Sequence, residues 1–310
     1  MLRTGGCLKT ASRLFLLIAA LGLFCGCGQP ERAETAEKSV QEGVKDMDHF
    51  TMPDGRRVYY HVPKAVHQEQ KPVPLVLFMC GTTCDPVANC VDAGWTNLAE
   101  EEGFIVISPD YNNYATYSEV DFLLDTVNYA TERFPVDESR VYATGFSNGG
   151  AASVALASEH PQTFAAISAM GWMVDMRRID TGCLMPFQVV QGSGEFTKRN
   201  AAGQPEVMPD EQAAVRSLFL SNDMISSQTR PDYARTPYWG YLPASTRQLE
   251  LDGFSWTIDE YYKDGYAEPF AQLIICADSV HQPRQGEARL AWDFFRPWRR
   301  TAAGQLESAD

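Results

Sequence analysis

The chain has 310 residues, 45% apolar and 21% charged, with 40 acidic against 26 basic side chains and a formal net charge of −14. That length holds one large α/β domain or two small ones. The charge excludes nucleic acid as a partner, because neutralising phosphates requires a basic face.

Arg3, Lys9 and Arg13 make a basic start, and Leu14 to Phe24 is an unbroken apolar run. The run is too short for a bilayer span, which takes about 20 residues, and suits the apolar region of a secretory signal. Phe24-Cys25-Gly26-Cys27 then resembles a bacterial lipoprotein processing site. Residues 1–26 are therefore expected to be a signal peptide of that type, with Cys27 lipidated; a plain signal peptide cut nearby is the alternative. A lipid on Cys27 would hold the protein at a membrane surface without a span. Residues 27–48, rich in Glu, Lys, Ala and Gln, read as a solvated linker.

Residues 49–300 alternate strand-like and helix-like segments, the signature of a mostly parallel sheet with helices on both faces. Arg57 to Val62 reads as an early strand and Pro74 to Met79 as a buried one, followed by a helix over Thr96 to Glu102. Phe104 to Ser108 is a second buried strand, and Tyr117 to Phe134 is amphipathic. Arg140 to Thr144, Phe164 to Met170, Pro186 to Gln191 and Gln272 to Cys276 complete the strands, and Gly286 to Trp298 reads as a closing helix. The pattern weakens between about 196 and 250, where five prolines surround one helical segment near Ala213 to Leu220. So long a connection reads as a cap-like insertion over the active face. Residues 301–310 read as a tail.

The strand ending at Thr144 runs into Gly145-Phe146-Ser147-Asn148-Gly149, with Gly150 and a small-residue helical run behind it. Strand, sharp turn and helix is the setting that makes G-x-S-x-G a nucleophile elbow, with the serine presented above the sheet. A serine needs a base, and of the five histidines only His281 follows the last strand. The order serine, acid, histidine then points to Glu195, at the end of the strand Pro186 to Gln191; Asp278 and Asp175 compete for that role. The oxyanion of an acyl transfer needs N–H donors. Asn148, just after the nucleophile, offers one, and Thr82 or its neighbour Gly81 offers the second.

These stretches, with Gly94-Trp95 ahead of Phe104 to Tyr111 and the Ser-Asn-Gly-Gly elbow, resemble the α/β-hydrolase esterases of the poly(3-hydroxybutyrate) depolymerase, feruloyl esterase and acetylxylan esterase group. The resemblance implies an α/β-hydrolase fold and an acyl-enzyme mechanism on Ser147, His281 and Glu195, without a cofactor. It departs at Cys80-Gly81, where the family has His-Gly, and at Glu195, where it has Asp. The expected partner is a small or polymeric ester: a feruloyl or acetyl ester of a polysaccharide, or a polyester of hydroxy acids. Phe146, Tyr111, Trp172, Tyr238 and Trp239 are candidates to contact it, with core packing the alternative role for each. A serine peptidase and a binding lipoprotein without turnover remain open on the same constellation. Of the cysteines beyond the leader, none shows metal-ligand spacing. Cys84 and Cys90 flank a five-residue loop and leave a disulfide between them open.

Overall fold

A computed structural model of the protein describes residues 46–176, 182–196, 203 and 209–308. The signal peptide, Cys27 and nearly all of the linker lie outside the described residues.

Two runs of apolar residues make the centre of the sheet. Strand β1 (Asp48–Thr51) pairs with β2 (Arg57–His61), and helix α1 (Lys64–Glu69) leads to β3 (Val73–Met79). Side chains alternate across a strand, so Leu75, Leu77 and Met79 enter one core layer while Val76 and Phe78 enter the other. A strand apolar on both sides belongs inside a helix-covered sheet. Helices α2 (Pro86–Asp92) and α3 (Trp95–Glu102) then precede β4 (Ile105–Pro109). Helix α4 (Val120–Thr131) follows, then β5 (Val136–Phe146), α5 (Asn148–Glu159), β6 (Ala166–Met170) and β7 (Phe187–Gly192). Last come α6 (Pro209–Ser221), β8 (Ser245–Leu251), β9 (Phe254–Tyr261), β10 (Ala271–Cys276), α7 (Gly286–Phe295), β11 (Trp298–Arg300) and β12 (Leu306–Ser308).

The large sheet has the order β1-β2-β4-β3-β5-β6-β7-β10-β9-β8. Its middle, from β4 to β10, is parallel, and antiparallel strands flank it on both edges. Helices α4, α5 and α6 bury their apolar faces in one layer, whereas α3 and α7 fill the other around Trp95, Trp292 and Phe295. This is the expected α/β-hydrolase arrangement of helices on both faces of a mostly parallel sheet. Among the described residues no helix is long and apolar enough to cross a membrane.

Three boundaries differ from the sequence reading. The insertion expected over 196–250 is shorter, because β8 belongs to the sheet edge and α6 is a core helix, with Phe219 edge-on to Phe187 at 5.3 Å. The closing helix stops at Phe295, since Pro297 cannot continue it and Trp298 opens a hairpin. The expected tail therefore contributes β12, paired with β11.

Candidate active site

The carboxyl ends of β5, β7 and β10 lie close together, and open α/β sheets bind ligands at that end. Strand β5 stops at Phe146, and Ser147 forms the turn into α5 with φ 55° and ψ −119°. A non-glycine residue held at positive φ stores about 1–3 kcal/mol of strain. The flanking glycines make the turn possible, because a Cβ at Gly149 would overlap the Met79 carbonyl oxygen and one at Gly145 would meet the same atom. Gly149→Ala is expected to destabilise the fold by about 3 kcal/mol or more, as backbone cannot yield to a methyl; thermal denaturation measures it.

His281 follows β10 and reaches back over this turn. Its Nε2 lies 2.9 Å from Ser147 Oγ, and its Nδ1 lies 2.5 Å from Glu195 Oε2. A carboxylate can only accept, so Nδ1 carries the proton and the Nε2 lone pair receives the serine hydroxyl. Phe146 packs on the imidazole at 4.7 Å, and Gly171, at φ +73°, leaves room for its edge. The acid stands at the end of a 3-10 turn, Ser193–Glu195, after β7. Its other oxygen, Oε1, accepts the Gly192 N–H at 2.7 Å. The base is nearly half exposed, whereas the acid is 9% exposed. Water is thus kept from the anion while the serine stays open to a ligand.

The carboxylate on His281 Nδ1 is that of Glu195, not of either competing acid. Asp278 is exposed, with φ 51° and its N–H donating to Ser193 Oγ at 2.9 Å. Asp175 is exposed, and its carbonyl accepts the Tyr117 hydroxyl.

The N-terminus of α5 points at Ser147, so the Asn148 N–H is a first-turn helix donor with the positive end of the helix dipole behind it. The Gly81 N–H is occupied, donating to Asn89 Oδ1 at 3.2 Å. Of the two candidates on the loop after β3, Thr82 is therefore the one whose N–H is not engaged by Asn89. Sequence reasoning missed Asn113, which braces both positions. Its carbonyl accepts from Thr82 Oγ1 at 3.2 Å and from the Asn148 amide, and its own amide donates to the Gly81 carbonyl at 2.8 Å. The available signal was its place in the loop after β4, at the same end of the sheet.

The aromatic candidates separate by exposure. Tyr111 is buried with its hydroxyl donating to the Cys80 carbonyl at 2.9 Å, and Trp239 is buried against Phe196. Tyr238 is half-buried and also packs on Phe196. Burial makes Tyr111 and Trp239 packing residues, whereas Tyr238 keeps part of its surface open. Phe146 is buried beneath His281, whereas Trp172 is exposed beside Gly171. Tyr114 is exposed next to Asn113, a position the sequence reading did not select.

The disulfide left open between Cys84 and Cys90 is not formed, and both are free thiols. The reason lies in their placement. Cys90 faces the core layer of Phe78 and Trp95, whereas Cys84 packs against the opposite layer. Burial pushes the Cys80 thiol up to about 12 and raises Cys90 as well. Only thiolates alkylate, so iodoacetamide is expected to label half-exposed Cys84 well before Cys80 or Cys90; peptide mass mapping reads the order. No group of three or more His, Cys, Asp or Glu is placed to hold a metal among the described residues.

A sequence model of the prolyl oligopeptidase family, Peptidase_S9, matches residues 111–216. The chain is 29% identical over 136 residues to feruloyl esterase B of Talaromyces funiculosus, covering 39% of this chain and 37% of that protein. It is 24% identical over 213 residues to a probable acetylxylan esterase A of Neosartorya fischeri, covering 63% and 55%. The chain thus spans between about a third and just over half of the length of these relatives. In structure it is similar to acetyl xylan esterase from Aspergillus awamori, with a TM-score of 0.53 and 16% identity, covering 80% of this chain and 99% of that one. The fold and the resemblance to this esterase group agree with the reading of the motifs.

Proposed function

We propose that the protein is a serine hydrolase acting on carboxylic esters through an acyl-enzyme. The observation that carries the reading is the continuous line of contacts from Glu195 through His281 to the strained Ser147. Ser147 attacks the ester carbonyl as its proton passes to His281 Nε2. The Asn148 and Thr82 N–H groups stabilise the oxyanion, and the imidazolium protonates the leaving alcohol. Water, deprotonated by His281, then releases the acid. Glu195 holds the Nδ1–H tautomer and offsets the charge on the imidazolium.

The substrates we propose are feruloyl or acetyl esters of polysaccharides, with hydroxy-acid polyesters second. The named relatives are feruloyl and acetylxylan esterases, and exposed Trp172 offers a flat face to a ring. The leader suits export, with Cys27 as the lipid anchor at a cell surface or in a periplasm. The prolyl oligopeptidase match favours a second reading, a serine peptidase with the same constellation. Turnover of acetyl, feruloyl and hydroxybutyryl esters alongside prolyl peptide anilides separates the two. Esters cleaved and anilides spared is the expected result, and the reverse order of kcat/KM would overturn the esterase reading.

A further inference from the structure

Arg284 lies three residues beyond the base, on the way into α7, and its side chain is entirely buried. It gathers the loop that carries His281. Its Nε donates to Ser279 Oγ, and its Nη2 donates to the Val280 carbonyl at 2.5 Å. The same Nη2 stands 3.9 Å from Glu195 Oε1, the carboxylate oxygen that His281 does not use. A guanidinium enclosed this way needs a counter-charge. Glu287, also fully buried, supplies it: Oε1 accepts from Nη1 at 2.5 Å and Oε2 from the Arg284 N–H at 3.2 Å.

The space around the guanidinium is closely fitted. A Cβ at Gly192 would fall 2.6 Å from Nη2, and the Gly194 N–H donates to the Ser279 carbonyl at 2.9 Å. The acid turn and the histidine loop are therefore joined both by backbone and by this one side chain. Burial raises the Glu287 carboxyl to about 7 against the opposing pull of Arg284. Holding such a pair ionised is costly, and well-packed apolar residues often serve stability as well or better. Its place beside the acid gives the pair a second role to test. What the pair reaches is the acid: a glutamate has one more rotatable bond than an aspartate, and beside the Gly192 N–H that holds Glu195 Oε1 at 2.7 Å the guanidinium adds a fixed positive charge at 3.9 Å from the same oxygen.

We propose that Arg284, with Glu287 as its buried counter-ion, is a positioning residue that fixes the Glu195 carboxylate and the His281 loop relative to one another. The inference rests on the esterase reading for its consequence in turnover, and on geometry alone for the imidazole–carboxylate contact. The test is Arg284→Met/Glu287→Met, which removes both charges at similar volume, read by Tm, ester kinetics and the far-downfield proton resonance of the His281–Glu195 hydrogen bond. The expected variant has an unchanged or raised Tm, a kcat lowered roughly 10- to 100-fold with little change in KM, and a lost or exchange-broadened resonance. A folded double variant with the wild-type resonance and kcat overturns the proposal. If the double variant does not fold, Arg284→Lys decides: it keeps the charge without the planar fork, so a weakened resonance supports the proposal and an unchanged one overturns it. A wild-type protein that shows the resonance but cleaves no ester ends the esterase reading, and positioning is then judged on the resonance alone.

Discussion

Ser147→Ala is expected to lower kcat for ester hydrolysis by about six orders of magnitude, with the fold intact. The variant loses the nucleophile, and the oxyanion donors left behind supply only the residual acceleration that binding and polarisation give. His281→Ala should fall to nearly the same level, because a hydroxyl with no acceptor 2.9 Å away keeps its proton. The double variant should be no worse than either single one, since the two groups act as a unit. Steady-state kinetics on an activated acetyl ester measure all three. Additive losses would show that the two side chains work in separate steps.

The second large effect belongs to the acid. Glu195→Gln keeps the size of the side chain but places an amide where His281 Nδ1 now meets a carboxylate at 2.5 Å. An amide nitrogen facing Nδ1 favours the tautomer with the proton on Nε2, which cannot accept from Ser147. A loss of kcat of about 10⁴-fold is expected, the scale that attends the wrong tautomer in such triads. Glu195→Ala should be less severe than removal of the serine, because water can take the acid's place. Asp278→Ala, at an exposed residue that does not supply the carboxylate on His281 Nδ1, should stay close to wild type. If Asp278→Ala proves the more damaging substitution, the acid has been assigned to the wrong residue.

The three residues that meet at the site, Ser147, His281 and Glu195, were legible in the chain because each sits at a marked place. Ser147 has glycines on both sides of a strained turn, His281 is the one histidine after the last strand of the large sheet, and Glu195 lies in the turn just beyond the strand that ends at Gly192. Shape and exposure were not legible. Strand β8 presents mostly exposed, polar side chains at the sheet edge, so its residues read as loop. Tyr111 and Trp239 look like ligand-binding aromatics by type, yet burial makes them packing residues; only the fold distinguishes them from Trp172. Arg284 and Glu287 stand three apart like any solvated helix pair. That they are wholly enclosed beside the acid is a property of the packing of α7 against the ends of β7 and β10.

Phosphonylation by a fluorophosphonate probe most directly tests whether Ser147 is a nucleophile activated by His281. Intact mass and peptide mapping are expected to place a single adduct on Ser147, formed in wild type and all but absent from His281→Ala. An adduct at another residue, or equal labelling rates in the two proteins, would contradict the account.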